Sequence, residues 1–234
     1  MSAKELVIRP ITAKEANSVV RRVHYSGKIV QNSSLHIGAF WRGNLEGAMQ
    51  FGPPMVKAMV LPLVRGTGWN QMLELNRMAF GEALPRNAES RALGVAFRLI
   101  RKHRPDIKWC LSFSDATQCG DGTIYRASGF LLTGIKRNTG MWRLPDGEVV
   151  TDMSMRPTNP SPINRKWRRI AGMPSAASGR VLTAVGAERL PGYQLRYIRF
   201  LDRSWVDRLT VPVIPFSDIP EDARMYRGEK RAGP

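Results

Sequence analysis

The sequence predicts an α/β fold with a mixed, mostly antiparallel sheet flanked by helices. Short strand-like runs alternate with two amphipathic helical stretches, and tight turns separate them. The predicted order, strand–helix–three strands–helix–strand–helix–strand, is that of a layered α/β protein. With 234 residues and 43% hydrophobic composition, the chain is long enough to build one full core with a small appendage.

The first third of the chain is predicted to contain one helix between strands. Gly27 lies where that helix should stop. Further on, the stretch 52–70 is rich in Pro and Gly, which favours a mobile loop over a site. The elements predicted here are a strand over 6–11, a helix over 13–23 with Thr12 as N-cap, and strands over 35–41 and 45–51 joined by the turn Arg42-Gly43-Asn44.

The middle of the chain has the most regular pattern. Its long helix repeats apolar residues at helical spacing, and the strand after that helix is apolar nearly throughout, as a central strand should be. The elements predicted here are strands over 72–80, 107–113 and 130–135, a helix over 88–103 and a short helix over 123–128.

The pattern loosens toward the C-terminus. Residues 142–150 are typical of a hairpin around the Asp146-Gly147 pair, and 193–201 alternates like a last strand. We therefore divide the chain into four parts. These are a catalytic core over 1–155, a basic loop or insertion over 156–192, a terminal strand and tail packing on the core over 193–223, and a frayed tail over 224–234.

The charge of the chain predicts a polyanionic partner. Lys and Arg number 36 against 19 Asp and Glu, which gives +17. DNA, RNA, anionic lipid and an acidic protein are the candidates. Lipid is the weakest of these, because no apolar run approaches ~20 residues and no N-terminal signal segment is seen. Cys110 and Cys119 form no CxxC pair, which favours reduced thiols in a cytoplasm.

The densest cationic run surrounds a tryptophan. Cations that track phosphates and an aromatic ring that stacks on bases are what DNA contact requires, although a charge run can equally be a solvated face. An enzyme that acts on a base in a duplex must also unstack that base, and Trp69 and Trp167 are equal candidates for that role. The predicted DNA-binding residues are Arg165, Lys166, Trp167, Arg168 and Arg169.

One short segment resembles a signature of the GNAT acyltransferases. Tyr125 lies four residues before Gly129-Phe130, between two predicted strands. In that family the tyrosine lies near the cofactor sulfur and often serves as general acid. The stretch 85–94 occupies the place of the family's pyrophosphate loop but lacks its first glycine. A phosphate cradle and a helix start capped by Asn87 therefore both stay open, and so does acetyl-CoA binding.

Longer segments resemble the Mom DNA-modification proteins of Mu-like bacteriophages. They are 24–26, 73–77, 84–91, 107–109 and 113–130. The resemblance implies a GNAT-like enzyme that adds a carbamoylmethyl (acetamido) group to the exocyclic amine of adenine in double-stranded DNA. It also implies that the product resists host restriction enzymes and that the protein acts in the cytoplasm of an infected bacterium. The resemblance also implies dependence on iron.

The same resemblance assigns roles to particular residues. His24, Tyr25, Asp115 and Tyr125 are implied as active-site residues. Arg77 and Ser90 are implied as cofactor-loop or support residues, and Arg91 is a further cofactor candidate from the helix-opening loop. Asp115 follows an apolar strand, where it could bind a metal, take a proton or cap the next turn. The metal candidates are His24 and Asp115, with His36 as a possible third.

Two other functions remain open at this point. One is an ordinary CoA-dependent GNAT N-acetyltransferase acting on a protein or small amine, which glycines in the helix-opening loop would have favoured. The other is a non-catalytic DNA-binding protein, which would have no use for Asp115 or Tyr125.

Overall fold

The computed structural model describes residues 5–116 and 120–220. Cys119 and the expected frayed tail 224–234 lie outside the described residues, as does the end of the predicted part 193–223. None of the helices in the described ranges is long and apolar enough to cross a membrane.

Two compact units make up the described chain. The first takes the residues up to Ser114 together with Asp121–Gly134 and Leu195–Ile219. The second takes Ile135–Gln194 and the short segment around Asp115. Each unit has a hydrophobic core of its own.

Most predicted elements are present with closely similar bounds. The helices are α1 (Ala13–Val23), α2 (Lys57–Val60), α3 (Ala88–His103), α4 (Thr123–Ala127), α5 (Pro162–Ile170) and α6 (Ser178–Ala184), with short 3-10 helices at Leu61–Leu63, Arg203–Arg208 and Phe216–Asp218. The strands are β1 (Val7–Pro10), β2 (Leu35–Trp41), β3 (Asn44–Gly52), β4 (Met72–Phe80), β5 (Trp109–Asp115), β6 (Leu131–Arg137), β7 (Met141–Arg143), β8 (Val149–Thr151), β9 (Glu188–Arg189) and β10 (Tyr193–Phe200).

The main sheet has seven strands in the order β1-β2-β3-β4-β5-β10-β6. Neighbours from β1 to β4 pair antiparallel, and β4 pairs parallel with β5. The predicted mixed and mostly antiparallel sheet flanked by helices is confirmed. The place of β10, between β5 and β6, could not be predicted, because strand alternation does not specify a strand's neighbours.

Helix α1 covers one face of this sheet. Thr12 caps it through a capping box, since its hydroxyl accepts from the Glu15 amide and the Glu15 carboxylate accepts from the Thr12 amide. The buried face of the helix packs on Ala48 and Ala79, a cross-strand pair of β3 and β4. Small residues at these two positions let the helix approach the sheet closely.

Helix α3 lies on the opposite face. Gln50 of β3 donates to Asn17 of α1 at 2.9 Å. The next side chain, that of Phe51, points to the other face of the sheet and makes an edge contact with Phe97 of α3. The expectation of a mobile loop over 52–70 is wrong for part of that segment. Leu63 and Val64 are buried in the core beside Trp109, so the segment is anchored at its middle.

The second unit begins earlier than the sequence predicts. The hairpin of β7 and β8 is confirmed, with Gly147 at φ +85° in its turn. Trp142 and Val150 from that hairpin share a core with Trp167 and Val181 from the predicted insertion. Residues 135–155 therefore belong with 156–194, and the predicted basic loop 156–192 instead contains α5, α6 and β9.

Candidate active site

The loop that follows α1 presents a histidine–tyrosine pair. His24 is the C-terminal cap of α1, and its ring centroid lies 4.3 Å from that of Tyr25. The Nδ1 atom of His24 accepts from the Ser26 amide at 3.1 Å, and the Ser26 hydroxyl lies 2.9 Å from the same nitrogen. Because Nδ1 is an acceptor in this arrangement, Nε2 carries the proton of the neutral ring.

Arg77 in β4 supports this loop. Its Nε donates to the carbonyl oxygen of Lys28 at 3.1 Å, and its Nη1 donates to that of Asn76 at 2.8 Å. The guanidinium therefore joins β4 to the loop that carries His24 and Tyr25. Of the two roles implied for Arg77, the contacts agree with support of the active-site loop.

A β-bulge places two further polar residues beside the loop. Gln50 pairs with Arg77, but Phe51 pairs with Leu75, so Asn76 is the extra residue of β4. The Oδ1 atom of Asn76 accepts from the Ser33 hydroxyl at 3.1 Å. The Asn76 side chain also bonds to the carboxylate of Glu74, two residues earlier.

Glu74 is the residue that sequence reasoning missed. Burial raises its pKa to about 6, although the hydrogen bond from Asn76 and the charge of Arg77 both act to lower it. A carboxyl group with such a pKa can accept a proton near neutral pH. The available signal was a lone acidic residue between Leu73 and Leu75 in an otherwise apolar run.

The end of β3 holds the other end of the same loop. The Asn32 side-chain amide donates to the carbonyl oxygen of Pro53 at 2.6 Å. A Cβ atom on Gly52 would lie 2.1 Å from the Asn32 carbonyl oxygen and 2.8 Å from Ser33 Cα, so only glycine permits this approach. The loop is thus fixed at Lys28, at Asn32 and at Ser33.

The two central strands separate beside these groups. The pairing between β4 and β5 runs from the pair Met72 and Trp109 to the pair Glu74 and Leu111. It stops there, although β4 continues to Phe80 and β5 to Asp115. Glu74 therefore lies at the point where the strands part. A gap between parallel strands at their carboxyl ends is where an α/β sheet offers room for a ligand.

The tyrosine signature forms a compact aromatic turn. Tyr125 on α4 has its ring centroid 5.2 Å from those of both Phe130 and Tyr197. Gly129 adopts φ +73°, and its amide closes the turn on the Arg126 carbonyl oxygen. Burial raises the pKa of Tyr197 well above its usual value, so this phenol stays protonated.

The start of α3 differs from the expected cap. Asn87 adopts φ +66°, and its side chain makes no capping hydrogen bond, so the interpretation of Asn87 as a side-chain cap is wrong. Asparagine tolerates this left-handed backbone conformation. In it, the Asn87 carbonyl oxygen is directed into the helix. The Ser90 hydroxyl and the Arg91 amide both donate to that oxygen, at 3.2 and 3.1 Å.

The structure brings some of the predicted residues together. His24 and Tyr25 contact each other on the loop after α1, and Arg77 bonds to the backbone of that loop at Lys28, with Glu74 on the same strand as Arg77. Tyr125 lies in its aromatic turn, and Ser90 and Arg91 lie in the first turn of α3. Asp115 is the last residue of β5, and the segment 117–119 that follows lies outside the described residues.

The residues predicted to bind iron are His24 and Asp115, with His36 as a possible third. Within 5–116 and 120–220, no three His, Cys, Asp or Glu side chains converge to hold an ion. The Nδ1 atom of His24 already accepts from Ser26. His36 lies 3.4 Å from the Gln50 amide, and burial lowers its pKa, which favours a neutral ring inside the fold.

The exposed side of α5 carries three of the predicted DNA-binding residues. Arg165, Lys166 and Arg169 are exposed together with Ile170 and line one shallow surface groove. Lys166 pairs with Asp146 at 2.8 Å. This side of the helix can face a phosphate backbone.

The other two predicted DNA-binding residues are structural, which corrects the sequence-based prediction. Trp167 packs in the core of the second unit, and Arg168 is 5% exposed. The Arg168 guanidinium donates to Asn164 Oδ1 at 2.7 Å and to four backbone carbonyl oxygens. These belong to Met155, Met173, Pro174 and Ala176. A charge run cannot show which of its members turns inward.

Comparison with known proteins identifies the family. The profile of the Mom protein family matches residues 5–218. The chain belongs to the Mom protein family. A curated relative, methylcarbamoylase mom of Escherichia phage Mu, is 31% identical over 220 residues, which cover 94% of this chain and 85% of that protein.

Two solved structures that are similar to this chain are acetyltransferases. The IAA acetyltransferase from Bacillus cereus has a TM-score of 0.46 with 13% identity, over 83% of this chain and 99% of that one. The ribosomal-protein-S18-alanine N-acetyltransferase from Escherichia coli has a TM-score of 0.45 with 10% identity, over 84% and 94%.

Proposed function

We propose that this Mom protein is a DNA-modifying transferase that adds a carbamoylmethyl group to the exocyclic amine of adenine in double-stranded DNA. The observation that carries the proposal is the match to the phage Mu methylcarbamoylase along 94% of the chain. The match includes the strand, loop and turn that hold Arg77, His24 and Tyr125. The modified DNA would resist host restriction enzymes in the cytoplasm of an infected bacterium.

The chemistry requires control of one proton. The lone pair of the adenine amine is conjugated with the ring, so the amine is a poor nucleophile. The reaction forms a bond from that nitrogen to the methylene carbon of the transferred group, while the donor's leaving group departs with the bonding electrons. One N–H proton must then pass to a base. A carboxylate with a pKa close to the working pH suits that task.

Two carboxylates can serve as this base. Asp115 ends β5, and Glu74 lies where β4 and β5 separate, with a pKa of about 6. Tyr125 is the proposed acid for the leaving group, by resemblance to the GNAT signature. His24, with its proton on Nε2, can donate a hydrogen bond to a substrate oxygen.

DNA would be held by the exposed cations of α5. Arg165 and Arg169 lie one helical turn apart and are both exposed, which suits contact with successive phosphates. Residues 135–194 carry ten Lys and Arg against four Asp and Glu. Contacts of this kind position a duplex without reading its sequence.

Restriction protection tests the proposal in cells. Plasmid from cells that express the chain should resist restriction enzymes whose recognition sequences contain adenine. Plasmid from cells that express an Asp115→Asn variant should be cut normally. Normal cutting of both plasmids would contradict the proposed modification and favour an acetyltransferase that acts on a protein or small amine.

A further inference from the structure

The segment between β3 and β4 exposes an unusual amount of apolar surface. Met55 is 79% exposed, Met59 76% and Trp69 63%, all within the first unit. The Nζ atom of Lys57 lies 4.2 Å from the centroid of the Trp69 ring. Met55, Lys57 and Trp69 line one groove, and we call these three residues the Trp69 platform. Large exposed apolar side chains grouped in this way mark a binding surface.

The segment that carries the platform is anchored to the core. Leu63 and Val64, between its two halves, are buried in the core. The Thr67 hydroxyl accepts from the indole nitrogen of Trp109 at 3.0 Å, and the Gln71 side chain accepts from the Gly68 amide at 2.7 Å. Trp69 thus projects from a fixed turn, and little conformational entropy is lost when a ligand stacks on it.

The platform borders a groove that adjoins the candidate active site. The groove has a volume of about 570 Å³, within the ~300–1,000 Å³ usual for small-ligand pockets. Pro53 lines it, and the Pro53 carbonyl oxygen accepts from Asn32 of the loop that carries His24. Lys57 and Arg104 also line it, and none of the carboxylates in the described part of the chain does.

We propose that the Trp69 platform stacks on an unpaired nucleobase of the DNA substrate, an inference that rests on the proposed function. An enzyme that modifies the adenine amine must take that base out of the stack, and the unpaired base needs an aromatic surface. An exposed indole with a cation over one face suits a base flanked by phosphates, and the flexible thioether of Met55 in the same groove can adapt to the rest of the base.

A binding experiment that needs no chemistry tests this inference. Fluorescence anisotropy compares a fully paired duplex with the same duplex carrying one unpaired adenine. The intact chain should prefer the unpaired adenine, and Trp69→Ala should weaken that binding about tenfold, the order expected for loss of one base–aromatic stack. Binding of the paired duplex should change less than about twofold, because phosphates dominate it.

Two further variants keep the test decisive. Trp69→Phe retains an aromatic face and should keep most of the preference, whereas Val213→Ala, also at an exposed apolar residue, should leave both affinities unchanged. Equal affinity of Trp69→Ala and the intact chain for the unpaired adenine would contradict base stacking by the Trp69 platform, even if adenine modification occurs. That result would favour a protein partner for this surface. A Trp69-dependent preference without any adenine adduct would support the platform and contradict the proposed function instead.

Discussion

The Nε atom of Arg77 lies 3.1 Å from the carbonyl oxygen of Lys28, and this bond ties the central strand β4 to the loop that holds His24 and Tyr25. Arg77→Ala should therefore lower the rate of adenine modification by at least about tenfold, since a shift of ~1 Å in reacting groups costs that much or more. DNA affinity should stay within about twofold. The rate of adduct formation and anisotropy binding measure the two quantities.

Arg98→Ala serves as the matched control for Arg77, because Arg98 is exposed on α3. Arg77→Lys should recover only part of the rate, since an ammonium group lacks the fork that reaches both carbonyl oxygens. A fully active Arg77→Ala variant would show that the loop keeps its geometry without this bond.

Glu74 gives the free energy of unfolding a defined pH dependence. Its pKa is raised to about 6 in the folded chain, above an unfolded value near 4.5, so the charged form is disfavoured by folding. The loss of folding free energy caused by burying the ionised carboxylate is absent below about pH 4.5 and grows as the pH rises to about 6. Above that pH it is constant at about 2 kcal/mol. Glu74→Gln should stabilise the chain by up to that amount at pH 8 and by little at pH 4.5.

Urea unfolding at the two pH values measures the Glu74 effect. Glu82→Gln is the control, since Glu82 is exposed. If Glu74→Gln raises the free energy of unfolding no more at pH 8 than at pH 4.5, the Glu74 carboxyl group is not desolvated in the folded chain.

The exposed and the buried arginines of α5 should respond differently to substitution. Arg165→Ala with Arg169→Ala should flatten the slope of log affinity against log salt by roughly one to two units, at ~0.9 per phosphate contact, and leave stability nearly unchanged. Arg168→Ala should instead lower the free energy of unfolding by roughly 3 kcal/mol or more, because several buried carbonyl oxygens lose their donor. An unchanged salt slope in the double variant would mean that this side of α5 does not face DNA.

Iron dependence is a prediction from the family resemblance alone. Protein purified with a strong chelator should lose modification activity and regain it with ferrous iron under reducing conditions, while its DNA affinity stays constant. His24→Ala should lower the iron bound per chain, as measured by elemental analysis. Undiminished activity in metal-free protein would contradict the iron prediction.

The regular elements were predictable because local rules decide them. Helix α1 has the bounds predicted from Thr12 and its valine spacing, since the capping box and one apolar face act within a few residues. The Tyr125 turn was predictable for the same reason. Its tyrosine, glycine and phenylalanine are close in sequence and meet in one turn.

The polar details of the site depend on partners distant in sequence. Asn76 becomes the bulged residue only through the pairing of β4 with β3, and Glu74 acquires its raised pKa only through burial at the place where the strands separate. Arg168 and its neighbour Arg169 look alike in a basic run, yet one is buried and the other exposed. Helices α5 and α6 were missed because their apolar positions form a core only with Trp142 and Val150.

Mass spectrometry of nucleosides tests the central claim most directly. DNA from cells that express the intact chain should contain a deoxyadenosine heavier by one carbamoylmethyl group. DNA from cells that express Tyr125→Phe or Asp115→Asn should lack it, although both variants retain DNA affinity. Unmodified deoxyadenosine in cells that express folded, DNA-binding wild-type protein would contradict the account.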